Sequence, residues 1–119
     1  MLIQIVDDSP NMRETIKSVL GALNAEFVES SDGEEAVEQY TSFRPDLVIM
    51  DIRMERTDGI QATRRIRDLS KDARVVVVTQ YDDKDLRIAA RDAGAASYIL
   101  KDDLSKLLDY IQHTMEAQS

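Results

Sequence analysis

The sequence predicts an α/β domain in which a doubly wound, five-stranded parallel sheet is covered by helices on both faces. Short β-prone apolar runs alternate five times with segments of helical spacing. The runs are apolar at consecutive positions, which is typical of strands buried on both faces. Parallel strands need right-handed crossover connections, and these place helices on both sides of the sheet. The length of 119 residues suits one domain, so residues 1–119 are expected to form a single unit.

The predicted strands cover residues 2–6, 26–29, 47–50, 75–78 and 97–100. Between and after them, apolar residues recur at the spacing of one helix face. Ser9-Pro10 suits the start of the first helix, because a hydroxyl can cap it and proline is tolerated in its first turn. The residues that mark the five helices are Met12, Ile16, Val19, Leu20 and Leu23; Ala36, Val37 and Tyr40; Ala62, Ile66 and Leu69; Leu86, Ala89, Ala90 and Ala93; and Leu104, Leu107, Leu108, Ile111 and Met115.

The composition excludes several classes of function. With 15 Lys+Arg against 23 Asp+Glu, the net charge is −8, so this domain alone is not expected to bind nucleic acid or an anionic membrane. The absence of cysteine excludes disulfides and thiolate chemistry. No apolar stretch approaches the roughly 20 residues of a membrane span, and the N-terminus does not resemble a signal peptide. A cytoplasmic location is therefore expected.

Polar residues follow four of the five predicted strands. Asp7-Asp8 follow the first strand, Asp51 the third, Thr79 the fourth and Lys101 the fifth. Each residue alone has a structural explanation, such as a helix cap or a solvated charge. The carboxyl ends of parallel strands meet at one edge, however, so the three carboxylates should repel one another there. A hard divalent cation such as Mg²⁺ would relieve that repulsion.

Such an edge favours phosphoryl chemistry. A carboxylate can attack phosphorus to give an aspartyl phosphate, while a cation, a lysine and a hydroxyl offset charge on the phosphoryl oxygens. The sequence has no glycine-rich phosphate-binding loop, so the phosphoryl group is expected to come from another molecule.

These residues resemble a known family, the receiver domains of two-component response regulators. The resemblance spans essentially the whole chain and implies a flavodoxin-like fold with strand order 2-1-3-4-5. The pair Lys101-Asp102 is similar to receivers of the NarL/FixJ type. The matching segments are Val6-Asp7-Asp8-Ser9, Pro45 through Met54, Asp58-Gly59, Val78-Thr79, Ala93-Gly94-Ala95 and Tyr98-Ile99-Leu100-Lys101.

The resemblance implies a role for each matching residue. Asp51 would accept a phosphoryl group from a sensor histidine kinase or a phosphotransfer protein. Mg²⁺, with Mn²⁺ as a substitute, would be ligated by Asp8, Asp51 and the backbone carbonyl of Arg53, with Asp7 acting mainly through water. Lys101 would pair with phosphoryl oxygens. Such a domain accepts and slowly hydrolyses its own phosphoryl group and is not a conventional turnover enzyme.

Thr79 and Tyr98 carry the implied switch. Thr79 would donate a hydrogen bond to the phosphoryl group, and Tyr98 would rotate into the vacated space. The surface of the fourth helix, fifth strand and fifth helix would change and control an output domain or a downstream protein. Tyr98 as an ordinary half-buried strand tyrosine is the alternative. The bulky pair Gln80 and Tyr81, together with Arg53, is expected to modulate access to the pocket.

Other functions fit the sequence less well. A phosphatase of the haloacid-dehalogenase type needs an acid two residues after its nucleophile, where Ser9 follows Asp7. A flavodoxin-like electron carrier needs a phosphate-binding loop where this chain has two carboxylates. Three versions of the receiver interpretation stay open: the N-terminal part of a DNA-binding transcriptional regulator, a stand-alone receiver acting by protein–protein contact, and a pseudo-receiver that is never phosphorylated.

Overall fold

The computed structural model describes residues 1–54 and 58–115, which form five β-α units in sequence. A short 3₁₀ helix at Lys101–Asp103 connects the last strand to the last helix. Two strands, the second and fourth, are one residue longer at their carboxyl ends than predicted. The elements are β1 Leu2–Val6, α1 Pro10–Val19, β2 Glu26–Ser30, α2 Gly33–Phe43, β3 Leu47–Met50, α3 Gly59–Leu69, β4 Val75–Thr79, α4 Lys84–Asp92, β5 Ser97–Leu100 and α5 Ser105–Thr114.

The five strands form one parallel sheet in the order β2-β1-β3-β4-β5. This order confirms the expected doubly wound, flavodoxin-like architecture. In register, Val6 at the end of β1 lies beside Ser30 of β2 and Met50 of β3. The residues that follow β1 and β3 therefore leave the sheet side by side.

The helices pack on both faces of the sheet, as the apolar runs predict. Ile3 and Ile5 of β1 point to one face, where they pack with α1 and α5 through Ile16 and Leu107. Val6 points to the other face and packs with α2 and α3. Both clusters consist of fully or nearly fully buried side chains, so the central strands are shielded from water on both sides.

Two side chains depart from the simple apolar pattern. Gln4 lies inside β1 yet is fully buried, and its amide donates to the Ser30 hydroxyl at 2.9 Å and to the Ala36 carbonyl at 3.0 Å. These hydrogen bonds compensate for removing the amide from water. Leu69, expected on the buried face of its helix, is 50% exposed because it is the last helical residue, beyond the packed turns.

The helix ends follow the local signals in the sequence. The Ser9 hydroxyl caps α1 by accepting from the amide of Met12, and Asp58 caps α3 by accepting from the amide of Ile60. Gly94 follows α4 with φ at +104°, a conformation that favours glycine. Within the ranges that the structure describes, no helix is both long and apolar enough to cross a membrane.

Candidate functional site

Three carboxylates converge at the carboxyl edge of the sheet. One carboxylate oxygen from each of Asp7, Asp8 and Asp51 lies within 4.8 Å of the others. Asp7 and Asp51 are buried, at 1% and 5% exposure, whereas Asp8 is exposed. The parallel register of β1 and β3 accounts for this proximity, because Asp7 and Asp51 directly follow paired strand ends.

Lys101 supplies a positive charge to this cluster from the end of β5. Its Nζ lies 2.9 Å from Asp7 Oδ2 and 3.4 Å from Asp51 Oδ1, so one ammonium group serves two buried carboxylates. Burial alone would lower the pKa of Lys101, but the hydrogen bond to Asp7 and the charge of Asp51 outweigh burial and raise it. Lys101 is therefore held in its charged form.

A single lysine leaves the cluster with excess negative charge. Burial and, next, the nearby charge of Asp7 raise the pKa of Asp51 to about 6, although Lys101 pulls it down. The ionised form of Asp51 is thus destabilised where it stands. Three closely spaced oxygen ligands with unbalanced charge suit a hard divalent cation, which would favour the ionised form.

The backbone around Asp7 is tightly held. Its amide donates to the Ser30 carbonyl at 3.0 Å, and one of its carboxylate oxygens accepts from the Ser9 amide at 2.9 Å. Its carbonyl accepts from the Arg13 guanidinium at 2.7 Å. Asp7 is therefore fixed through both its main chain and its side chain.

The backbone after Asp51 is held by the close approach of Gly59, the first residue of α3. The Gly59 amide donates to the Ile52 carbonyl at 2.7 Å. A Cβ at position 59 would lie 1.8 Å from the Asp51 carbonyl oxygen, far inside contact distance. Only glycine allows α3 to start this close to Asp51. Asp58-Gly59 was predicted as a helix start, and this part of the prediction is confirmed.

A cavity of about 310 Å³ opens onto the acidic cluster. On its rim, the guanidinium of Arg53 stacks over the ring of Tyr81, with its central carbon 4.8 Å from the ring centroid. The cavity is lined by Asp7, Asp8, Ser9, Met12, Asp51, Arg53, Gln80, Tyr81 and Lys101. It is thus an open pocket with an acidic floor and a partial cover.

Thr79 and Tyr98 reach this pocket indirectly, through Tyr81. Thr79 is fully buried, and its hydroxyl accepts from the Tyr81 amide at 3.3 Å. The Tyr98 hydroxyl donates to the Tyr81 carbonyl at 2.6 Å, and the Arg87 guanidinium lies 4.6 Å above the Tyr98 ring. Burial raises the pKa of the Tyr98 hydroxyl. Tyr98 is half-buried, so its side chain has both a protein contact and a route to solvent.

The sequence patterns placed most of these residues but missed others. Ser9 and Met12 line the pocket, although the sequence indicated only structural roles for them. Arg13 was assigned to the polar side of α1, yet it contacts the backbone of Asp7. The available signal was its position on the first turns of a helix that begins beside the acidic pair.

The fold and the site define a doubly wound α/β protein with an acidic, lysine-bearing edge, a class suited to holding a cation and an oxyanion together. Residues 3–112 match the family model described as the response regulator receiver domain, and the chain belongs to that family.

Relatives of known name support this assignment. The chain is 37% identical over 115 residues to the chemotaxis protein CheY of Bacillus subtilis, covering 95% of this chain and 96% of CheY. It is 34% identical over 114 residues to the transcriptional regulatory protein DegU of Brevibacillus brevis, covering 92% of this chain but 48% of DegU. The chain therefore spans nearly all of one relative and about half the length of the other.

Solved structures agree at the level of the backbone. A LuxR-family two-component response regulator from Aurantimonas sp. SI85-9A1 superposes with a TM-score of 0.90 at 31% identity, covering 98% of this chain and 85% of that one. The CheY of Borrelia burgdorferi, in a CheX-CheY-BeF3-Mg complex, gives a TM-score of 0.88 at 28% identity, covering 95% and 87%.

Proposed function

We propose that Asp51 accepts a phosphoryl group from a phosphohistidine of a sensor kinase or phosphotransfer protein. The observation that carries this proposal is a buried carboxylate at 3.4 Å from Lys101 in a cluster of acids. A carboxylate oxygen of Asp51 attacks phosphorus, a P–O bond forms, and the P–N bond to the imidazole breaks. The imidazole nitrogen keeps the bonding electron pair and becomes protonated. Hydrolysis later releases inorganic phosphate and restores the carboxylate.

We further propose that the acidic cluster holds Mg²⁺, or Mn²⁺ in its place. Asp8, Asp51 and the Arg53 carbonyl would be direct ligands, with Asp7 acting through water. The donor set supports this assignment, since it offers only oxygen atoms and excess negative charge. The cation would supply charge neutralisation on the phosphoryl oxygens. The Borrelia CheY structure, which contains Mg and BeF3, supports the same assignment by relationship.

Lys101 and Thr79 are proposed to hold the phosphoryl oxygens, and Tyr98 to report their engagement. The ammonium group of Lys101 already faces Asp51, whereas the Thr79 hydroxyl accepts from the Tyr81 amide. If Thr79 turned to a phosphoryl oxygen, the Tyr81 segment would lose that contact. Tyr98 donates to the same segment, which supports a coupled change at the surface of α4, β5 and α5.

Incubation with acetyl phosphate and Mg²⁺ tests the acceptor. We expect intact-protein mass spectrometry to show the mass increase of one phosphoryl group, lost under alkali and mapped to Asp51. The adduct should be absent from Asp51→Asn and from wild type treated with a chelator. An equally phosphorylated Asp51→Asn protein would exclude Asp51 as the acceptor, and an unmodified wild type under all donors would indicate a pseudo-receiver.

The Arg53–Tyr81 stack and Gln80 are proposed to limit the access of water to the phosphorylated residue. Gln80→Ala and Tyr81→Ala should therefore hydrolyse the aspartyl phosphate faster, by about fivefold, which corresponds to lowering the barrier by about 1 kcal/mol. The decay of the phosphorylated protein after removal of the donor measures this. Lys84→Ala, on exposed α4, is the control and should decay at the wild-type rate. Equal rates in all proteins would remove the access argument.

The output and partners of the whole protein are also proposals. A phosphohistidine donor made from ATP places the proposed reaction in the cytoplasm. The match to nearly all of CheY is consistent with a receiver acting on a downstream protein, and the match to half of DegU with one preceding a transcription-regulating output domain. Reading the coding frame beyond Ser119 separates these two arrangements.

A further inference from the structure

Arg13 makes two charge-assisted contacts that join α1, β2 and the acidic loop. Its Nε donates to Glu29 Oε1 at 2.9 Å, and another guanidinium nitrogen donates to the Asp7 carbonyl oxygen at 2.7 Å. Its side chain is only 16% exposed. Glu29 is held in turn by Lys17, which donates to its second oxygen at 3.0 Å. These two cations hold the pKa of Glu29 below its usual range.

The contact with the Asp7 carbonyl bears on Asp8. The carbonyl of Asp7 and the amide of Asp8 belong to one planar peptide unit, so a donor that fixes the carbonyl also fixes the backbone from which the Asp8 side chain departs. Asp7 has further anchors in Ser9, Ser30 and Lys101. Among the residues that the structure describes, no side-chain hydrogen bond holds the Asp8 carboxylate itself. The peptide plane is therefore the means by which Asp8 is aimed at the cluster.

We propose that Arg13, anchored by Glu29, is a positioning residue that aims the Asp8 carboxylate into the cation site. This inference rests on the proposed Mg²⁺ site. Partners that orient metal ligands typically change metal affinity by about 10- to 100-fold when removed. A hydrogen bond from a charged donor to a carbonyl is also among the stronger kinds in proteins.

The sign of the effect separates positioning from simple charge. Arg13 is a cation close to a cation site, so its charge alone opposes Mg²⁺ binding, and its removal would tighten binding. If Arg13 acts by orienting Asp8, its removal weakens binding. Arg13→Met tests this, since methionine keeps an unbranched apolar stem without the guanidinium. Lys17→Met is the matched control, because it removes the other cation on Glu29 while leaving the contact with Asp7 in place.

The experiment is a Mg²⁺ titration of unphosphorylated protein followed by amide chemical shifts. We expect the dissociation constant to rise about tenfold in Arg13→Met, to rise less in Glu29→Gln, and to stay unchanged or fall in Lys17→Met. Affinity in Arg13→Met equal to or tighter than wild type would overturn the inference while leaving the proposed function intact. If Arg13→Met does not fold, wild-type affinity in Glu29→Gln would overturn the anchoring. Absence of saturable Mg²⁺ binding by the wild type would overturn both proposals.

Discussion

Replacing Gly59 with alanine is expected to destabilise the protein by about 3 kcal/mol and to impair phosphorylation of Asp51 together with its stability. The added Cβ would lie 1.8 Å from the Asp51 carbonyl oxygen, 2.8 Å from its carbonyl carbon and 3.0 Å from the Ile52 Cα. All three atoms are backbone, so no side chain can turn aside. Either α3 or the strand end must move, and the strand end carries the proposed acceptor.

Urea denaturation and acetyl phosphate labelling measure the two effects. Gly21→Ala is the matched control, because its Cβ would meet the Ser18 carbonyl oxygen at 3.2 Å, a contact that a small shift relieves. We expect Gly21→Ala to change stability by less than about 1 kcal/mol and to be labelled at the wild-type rate. A Gly59→Ala protein with wild-type stability would contradict the close approach of α3 to Asp51.

Replacing Asp51 with asparagine is expected to stabilise the Mg²⁺-free protein near neutral pH, by up to about 3 kcal/mol. The pKa of Asp51 is raised from 3.8 to about 6 by burial and by the charge of Asp7. Below pH 3.8 the carboxyl group is protonated in both folded and unfolded states, so it costs nothing. Between pH 3.8 and about 6 the unfolded state loses its proton first, and the free energy of unfolding falls. Above about pH 6 the full cost remains.

The measurement is the difference in free energy of unfolding between Asp51→Asn and wild type, across pH 4 to 8 with a chelator present. Comparing two proteins at each pH removes the contribution of the other acids. We expect the difference to grow through this range and then level off. Asp72→Asn, at an exposed aspartate, should differ from wild type by no more than about 0.5 kcal/mol throughout. A pH-independent advantage for Asp51→Asn would contradict the electrostatic explanation.

Added Mg²⁺ should reverse this order of stability. A ligand that binds only the folded state stabilises it in proportion to the logarithm of its concentration above the dissociation constant. Wild type has all three carboxylates for the cation, whereas Asp51→Asn lacks one. Saturating Mg²⁺ should therefore raise the unfolding midpoint of wild type more than that of the variant, and an equal rise would argue against Asp51 as a ligand.

The fold could be predicted almost completely because each strand is a short apolar run bounded by polar residues. β3 at Leu47–Met50 was predicted to the residue, since buried parallel strands leave an unbroken apolar signature. Gln4 departs from that signature. A buried amide satisfied by Ser30 and Ala36 depends on partners more than 20 residues away, which periodicity cannot reveal.

The acidic cluster could be anticipated because chain topology alone brings strand ends together. Asp7, Asp51 and Lys101 each follow a strand of one parallel sheet, and the structure joins them by contacts of 2.9 and 3.4 Å. The contacts of Arg13 and the stacking of Arg53 on Tyr81 could not be anticipated in the same way. Both depend on side-chain rotamers and loop paths, which spacing along the chain does not specify.

The main chain of Tyr81 has a consequence for how a signal leaves the pocket. Its amide is shared with a buried threonine and its carbonyl with a tyrosine on the neighbouring strand, so two neighbouring peptide groups respond to both side chains. Transmission over this distance requires no rigid-body movement of a helix. The amide proton of Tyr81 is consequently a built-in reporter, whose resonance should shift whenever either hydroxyl changes partner.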